Sequence, residues 1–239
     1  MFPLKSLAPR RAFPFVTLAL IGINVYIFLQ QVAMRPRLLN ELVNAYGLVP
    51  ARFANLLNMT FSPVYGLRRI TPEAAILPLL TSLFLHASWL HIIGNMWFLW
   101  IFGQTVEDAL GHFPFLLFYL ACGVAAGLTH VAFNLNSKLP TIGASGAISG
   151  VLGAYLVLYP GAQILTLVPI IVIPLIVRLP AVLFIGLWFV FQFLGGLGTL
   201  QLQDAGGVAF WAHVGGFIAG MFLAAIARNH RRVLPANYY

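Results

Sequence analysis

Charge is the first thing this sequence lacks. Asp, Glu, Lys and Arg make up only 8% of its 239 residues, where a soluble domain carries roughly 25%. Hydrophobic residues make up 61%, and the mean hydropathy is +0.93. So few charged groups build no water-facing surface. That excludes an ordinary globular domain and a disordered chain. It also excludes a nucleic-acid-binding domain, even though the net charge is +8. Basic residues at the ends of apolar spans instead meet anionic lipid or set topology. Acid is scarcer still, with five residues in all. The only aspartates, Asp108 and Asp204, both fall in connections, so a membrane aspartate pair is missing. No histidine is followed by glutamate, so there is no His-Glu-x-x-His zinc motif. No span carries a carboxylate in its middle, which argues against a proton-coupled carrier. The single cysteine, Cys122, rules out an intrachain disulfide and a cysteine-based zinc site.

What the sequence has is long apolar runs, continuous rather than alternating. They read as helices and not as barrel strands. A first span is expected at 13–34, followed by spans at 90–109, 114–134, 145–160, 180–200 and 207–227. Between the first two lies a long connection, 35–85. It is rich in proline and arginine but also in Leu, Phe and Ala, and reads as short amphipathic pieces at the membrane interface. Pro169 and Pro174 interrupt 161–179, which is expected to be a loop hugging the membrane. The expected fold class is therefore an all-α membrane protein of six helices. The expected organisation is a cytoplasmic segment 1–12, a membrane domain 13–227 and a basic cytoplasmic tail 228–239. Lys5, Arg10 and Arg11 at one end and Arg228, Arg231 and Arg232 at the other put both termini in the cytoplasm by the positive-inside rule.

Strongly polar side chains inside spans are functional candidates by default. Here they are His86, His91, Asn95, His130, Ser145, Ser149, Gln192 and His213. His91 and Asn95 share a helix face. Ser145 starts the fourth expected helix and His213 lies near the start of the sixth. In a six-span topology the second, fourth and sixth helices run the same way, so these four residues share one depth. A serine becomes a nucleophile beside a histidine base. The oxyanion it creates needs donors: the Ser145 backbone N–H at a helix start, and the His91 and Asn95 side chains. No third triad member is evident, so a Ser–His dyad fits best. Gly146, Gly150 and Gly153 on one helix, and Ala212, Gly216 and Gly220 on the other, give small faces that allow close approach. His112 and His130 read as histidines satisfied by local hydrogen bonds, and Ser149 and Gln192 as interhelical hydrogen-bonding or packing residues. Trp97, Trp100, Trp188 and Trp211 read as interface anchors or lipid-facing residues.

Four motifs in order carry a family resemblance. They are His86-Ala-Ser-Trp-Leu-His91-Ile-Ile-Gly-Asn95-Met, Phe102-Gly-Gln-Thr-Val-Glu107, Gly143-Ala-Ser145-Gly-Ala-Ile-Ser-Gly150 and Ala212-His213-Val-Gly-Gly216-Phe. In these the chain resembles the rhomboid intramembrane serine proteases. The resemblance implies a six-transmembrane-helix rhomboid-like bundle with a long membrane-associated loop after helix 1. It implies Ser145 as nucleophile and His213 as general base. The oxyanion hole would be His91, Asn95 and the Ser145 N–H, with His86, Gly143, Gly146 and Gly216 in support. The fifth helix, with Trp188, Phe189 and Gln192, would be a lateral gate. The implied substrates are single-span membrane proteins within the lipid bilayer, with no cofactor, no metal and no nucleic acid. A prokaryotic cell (inner) membrane is the expected location. The alternative is a rhomboid-like non-enzymatic binder of membrane-protein clients, which the intact serine and histidine argue against. Two departures stand out. Ser149 replaces a tyrosine that stacks on the base in some members, so another group must orient His213. The first loop offers Arg68 and Arg69 without the usual tryptophan.

Overall fold

The computed structural model describes residues 1–57, 71–170, 173–199 and 209–230. Arg68, Arg69, Asp204, Arg231 and Arg232 lie outside the described residues. Strand β1 is Phe2–Ser6, and helix α1 is Phe15–Ala33. Helices α2 (Pro36–Tyr46), α3 (Pro50–Leu57) and α4 (Pro72–Ile76) follow, each opening on a proline. Proline suits that position because its missing N–H has no intrahelical partner there. The chain continues through α5 (Pro78–Thr81) and a 3₁₀ turn, Ser82–Phe84. Helix α6 (Trp89–Phe98) passes through a π turn, Leu99–Gly103, into α7 (Gln104–Leu110). Gly111, at φ 85°, turns the chain into α8 (His112–Phe133). A side chain is disfavoured in that left-handed region. Helix α9 is Ser145–Leu158, strands β2 and β3 are Gln163–Ile170 and Ile173–Pro180, and helices α10 and α11 are Ala181–Thr199 and Phe210–His230.

The protein is mostly helical and is an integral membrane protein. Segments Phe15–Ala33, His112–Phe133, Ala181–Gly198 and Phe210–Arg228 are each long and apolar enough to cross a membrane. Pro72–Phe84 and Trp89–Leu110 meet at a 78° bend, and make a fifth if counted as one span. Helix α9 is shorter, with 14 residues. At 1.5 Å per residue it is about 21 Å long, less than the roughly 30 Å of hydrocarbon. It is enclosed by its neighbours instead. Every residue from Gly146 to Tyr155 is buried, and the helix packs on α8, α10, α11 and the π turn. Lipid is as apolar as leucine, so close packing rather than water exclusion holds such a core together. The α9–α11 contact shows how close. A Cβ on Gly216 would lie 2.1 Å from the Gly146 carbonyl oxygen, and one on Gly220 2.0 Å from that of Gly150.

The all-α expectation needs one correction. Within 161–179, expected to be a loop, Gln163–Ile170 and Ile173–Pro180 are strands: β2 and β3 pair antiparallel, and β1 pairs with β2 to complete a three-stranded sheet in the order β1-β2-β3. The prolines that rule out a helix here do not rule out this pairing. Pro169 faces Pro174, and it lies beyond Leu167, the last β2 residue paired with β1. Its missing N–H therefore faces no second strand. The N-terminal segment is consequently built into the fold. Ser6 Oγ and Tyr155 Oη are 2.6 Å apart, and the Trp97 indole N–H donates to the Pro3 carbonyl at 2.6 Å.

The same end of the bundle holds the acids of α7. The carboxylate of Glu107, almost wholly buried, accepts from the Val16 and Thr17 N–H groups and from the Thr17 hydroxyl, at 2.6–2.9 Å. It thereby caps α1 with a negative charge at the positive end of the helix dipole. His112 Nδ1 is 2.6 Å from the same carboxylate. Asp108 accepts from the Ala12 N–H at 2.6 Å, and Arg10 donates to the Gln104 side-chain oxygen. Arg228 donates to the Val157 carbonyl at 3.2 Å, so the end of α11 reaches the same level.

Candidate active site

Ser145 is the first residue of α9, ten residues from Tyr155. At 1.5 Å per residue the serine lies about 15 Å from the sheet end of the bundle. The approach to it is Gly143, at φ +129°, whose N–H donates to the Ser82 carbonyl at 2.9 Å. A side chain at Gly143 is disfavoured twice: by its backbone angle, and because its Cβ would sit 2.7 Å from both Cε1 and Nε2 of His91. The small faces of α9 and α11 then bring the two backbones into contact. His213 Nε2 lies 2.8 Å from Ser145 Oγ.

His91 and Asn95 come from α6. Ser88 caps that helix, accepting from the His91 N–H at 3.2 Å. The Ala87 N–H donates to His91 Nδ1 at 3.4 Å, which leaves Nε2 as the protonated nitrogen, facing Gly143. Asn95 is buried. Its Nδ2 has no hydrogen-bond partner among the described residues, and lies 3.8 Å from where a Cβ on Gly143 would be. Two side-chain donors and the first N–H of a helix thus gather around the residues leading into Ser145. A helix N-terminus also favours negative charge at that place.

Ser145, His213, His91 and Gly143 open on a cavity of about 730 Å³, lined also by Ser82, Ser88, His130 and Thr141, while Asn95 is not among its lining residues. Among the described residues, no Asp or Glu lines it. His86 is buried behind it, its ring 5.1 Å from that of His91 and edge-on to Phe28. Gln31 of α1 brackets the His86 backbone, accepting from its N–H at 3.0 Å and donating to its carbonyl at 3.2 Å. Sequence reasoning passed over Gln31, which is one more amide in an apolar helix.

Several side chains differ from their sequence reading. His130 faces the cavity, with Nε2 2.9 Å from Thr141 Oγ1. Trp211 is buried, and stacks on Phe133 at 3.9 Å instead of anchoring at an interface. Trp188 approaches the His213 ring, centroids 6.1 Å apart. Ser149 donates to the Ser145 carbonyl at 2.6 Å, inside its own helix. Gln192 does make an interhelical hydrogen bond, as its sequence reading allowed, and its partner is His213: Oε1 lies 2.7 Å from Nδ1. The signal was present in the sequence, since Gln192 is the only amide in an otherwise apolar 19-residue helix.

Comparison with known proteins gives a consistent placement. The family model for the Rhomboid domain matches residues 73–230. The rhomboid protease GluP of Bacillus subtilis is 34% identical over 149 residues, covering 62% of this chain and 25% of the relative. Rhomboid protein 1, mitochondrial, of Saccharomyces cerevisiae is 29% identical over 170 residues, covering 65% of this chain and 44% of the relative. The human presenilin-associated rhomboid-like protein, mitochondrial, is 29% identical over 156 residues, covering 61% and 36%. The chain thus spans less than half the length of these curated relatives. With the Rhomboid domain model matching well over half of its residues, and carrying all four motifs, the chain belongs to the rhomboid family.

Proposed function

We propose that the chain is an intramembrane serine endopeptidase that hydrolyses peptide bonds in or near the transmembrane segments of membrane proteins. The observation that carries this reading is the 2.8 Å approach of His213 Nε2 to Ser145 Oγ at the edge of a cavity, with the unpaired Asn95 Nδ2 close to Gly143. Ser145 Oγ attacks the scissile carbonyl carbon while His213 Nε2 takes its proton. The carbonyl oxygen becomes an oxyanion that accepts from the Ser145 N–H, His91 Nε2–H and Asn95 Nδ2–H. His213 then gives its proton to the leaving amine. A water, deprotonated by the same imidazole, releases the acyl group and restores the serine. His86, Gly143, Gly146 and Gly216 support this arrangement through packing and backbone geometry.

In this reading six helical crossings surround the dyad, with α9 shielded from lipid at the centre, which accounts for its shortness. Residues 13–227 make the membrane domain. Residues 1–12 and 228–239 flank it on the cytoplasmic side, and the cavity opens on the far side. The long connection after α1 is the membrane-associated loop. Substrates are single-span proteins that reach the cavity from the bilayer. A substrate helix hides its scissile carbonyl in an intrahelical bond, so glycine or proline near the cut assists by unwinding it. The membrane is a prokaryotic inner membrane.

The test is cleavage of a tagged single-span substrate in liposomes by the native protein, Ser145→Ala and His213→Ala. Cleavage by the native protein alone supports the proposal. Undiminished cleavage by Ser145→Ala overturns the assignment of the nucleophile. No cleavage and no labelling by a serine-directed fluorophosphonate overturn the protease reading in favour of client binding.

A further inference from the structure

We propose that Gln192 is the positioning residue of the site, holding the His213 imidazole as a proton acceptor at Nε2. The inference rests on His213 as the base. Both ring nitrogens are engaged, Nε2 with Ser145 Oγ at 2.8 Å and Nδ1 with Gln192 Oε1 at 2.7 Å. A hydroxyl that is to lose its proton must donate it, so Nε2 is the bare nitrogen and Nδ1 carries the hydrogen. That hydrogen needs an acceptor, and an amide oxygen is one. Without such a partner the ring is free to take the other tautomer, with the hydrogen on Nε2, and no base faces the serine.

Other groups near the ring do not serve. Among the described residues no carboxylate lines the cavity. Among the described residues the titratable groups acting on His213 are His91 of α6 and His130 of α8. His91 Nδ1 is taken up by the Ala87 N–H, and His130 Nε2 is paired with Thr141. Ser149, one turn beyond the nucleophile, is bonded to the Ser145 carbonyl. Trp188 packs against the ring but offers its face no acceptor. When Nε2 takes the serine proton, the Nδ1–H bond to Gln192 stays in place. The amide contributes orientation through both proton transfers without itself gaining or losing a proton.

The location of Gln192 adds a consequence. Helix α10 is the least internally packed of the four long spans, 22% buried against 28–44% for the others. It sits on α11 through Gly195 and Gly196, which receive the rings of Phe210 and Trp211 one turn before His213. The base is therefore held in its working tautomer only while α10 is seated. A substrate entering between α10 and the bundle must leave this hydrogen bond intact or allow it to re-form before the cut.

Two substitutions separate positioning from packing. Gln192→Met keeps length and removes the acceptor, while Gln192→Glu keeps an acceptor and introduces a charge. Positioning predicts that Met lowers kcat about tenfold with KM within about twofold, the size of one lost neutral hydrogen bond. It also predicts that Glu retains more activity than Met. A packing role predicts the reverse order, because a buried unpaired carboxylate is costly and a thioether is not. The tautomer is read independently of turnover by ¹⁵N NMR of the histidine rings, assigned by the signal missing in His213→Ala. The native protein is expected to show the Nδ1–H form at His213, and Gln192→Met a mixture. An unchanged tautomer in Gln192→Met, or a Met variant as active as Glu or more so, overturns the proposal. A native protein that shows the Nδ1–H form, lost in Gln192→Met, but cleaves no substrate overturns the protease reading and leaves the positioning of His213 standing.

Discussion

The α9–α11 contact sets the distance between Ser145 and His213, so adding one methyl group at Gly216 tests the site through its scaffold. In Gly216→Ala the new Cβ would lie 2.1 Å from the Gly146 carbonyl oxygen and 3.0 Å from its carbonyl carbon, where ordinary contact begins near 3.4 Å. Both obstacles are backbone, so no rotamer change relieves them. The helices must part by the difference between 2.1 and 3.4 Å, about 1.3 Å. Gly146 adjoins Ser145, and Gly216 is one turn from His213. A shift of that size takes the 2.8 Å Ser145–His213 contact beyond hydrogen-bond range. Forced separation of a packed interface costs about 1–3 kcal/mol of stability. Displacing reacting groups by an ångström costs on the order of 10²-fold in rate. The assay is kcat on the single-span substrate together with thermal unfolding in detergent, with Gly22→Ala as control, because nothing lies within 4 Å of a Cβ there. The expected result is a Gly216→Ala protein that folds with a lowered Tm and loses about a hundredfold in kcat, beside a control that loses neither. Native kcat and Tm in Gly216→Ala would falsify the argument that backbone contact fixes the dyad.

Other outcomes follow from the same geometry. Asn95→Ala should lower kcat by about 10²–10³ with little change in Tm, the usual loss for one oxyanion donor, checked by steady-state kinetics. Gly143→Ala should lower activity to a similar degree by displacing His91, and Gly143→Ala,His91→Ala should lose little more, since both act on one group. Thr17→Val removes a hydroxyl donor from the buried Glu107 carboxylate and should cost about 1.5–3 kcal/mol. Far from the cavity, it should lower Tm in detergent while leaving KM unchanged.

The apolar spans and the polar residues within them were legible because lipid makes both rules strict. An apolar run of about 20 residues has few alternatives to a helix, and a polar group inside one needs a reason. Legibility ended where the outcome depended on a partner distant in the sequence. The sheet is the plainest case. Pro169 and Pro174 correctly signalled the end of helix, but a strand at 163–170 is stable only because 173–180 and the chain's first residues pair with it. Gln192 is the second case. Its oddness was visible, but which side chain of a neighbouring helix it met depended on the rotation of α10 against α11.

The sequence by itself determined a membrane-embedded helical chain, with a serine, two histidines and an asparagine at helix starts and glycines spaced one turn apart on two helices. Hydropathy and periodicity are local properties, and each residue carries its share of them. Only the tertiary structure decided the rest. It set the 2.8 Å between Ser145 and His213, the turn of His91 and Asn95 toward Gly143, the enclosure of the short α9, and the meeting of Gln192 with Nδ1. Those are distances between segments up to 68 residues apart. They are fixed by which faces pack, and close packing responds to every side chain at the contact at once.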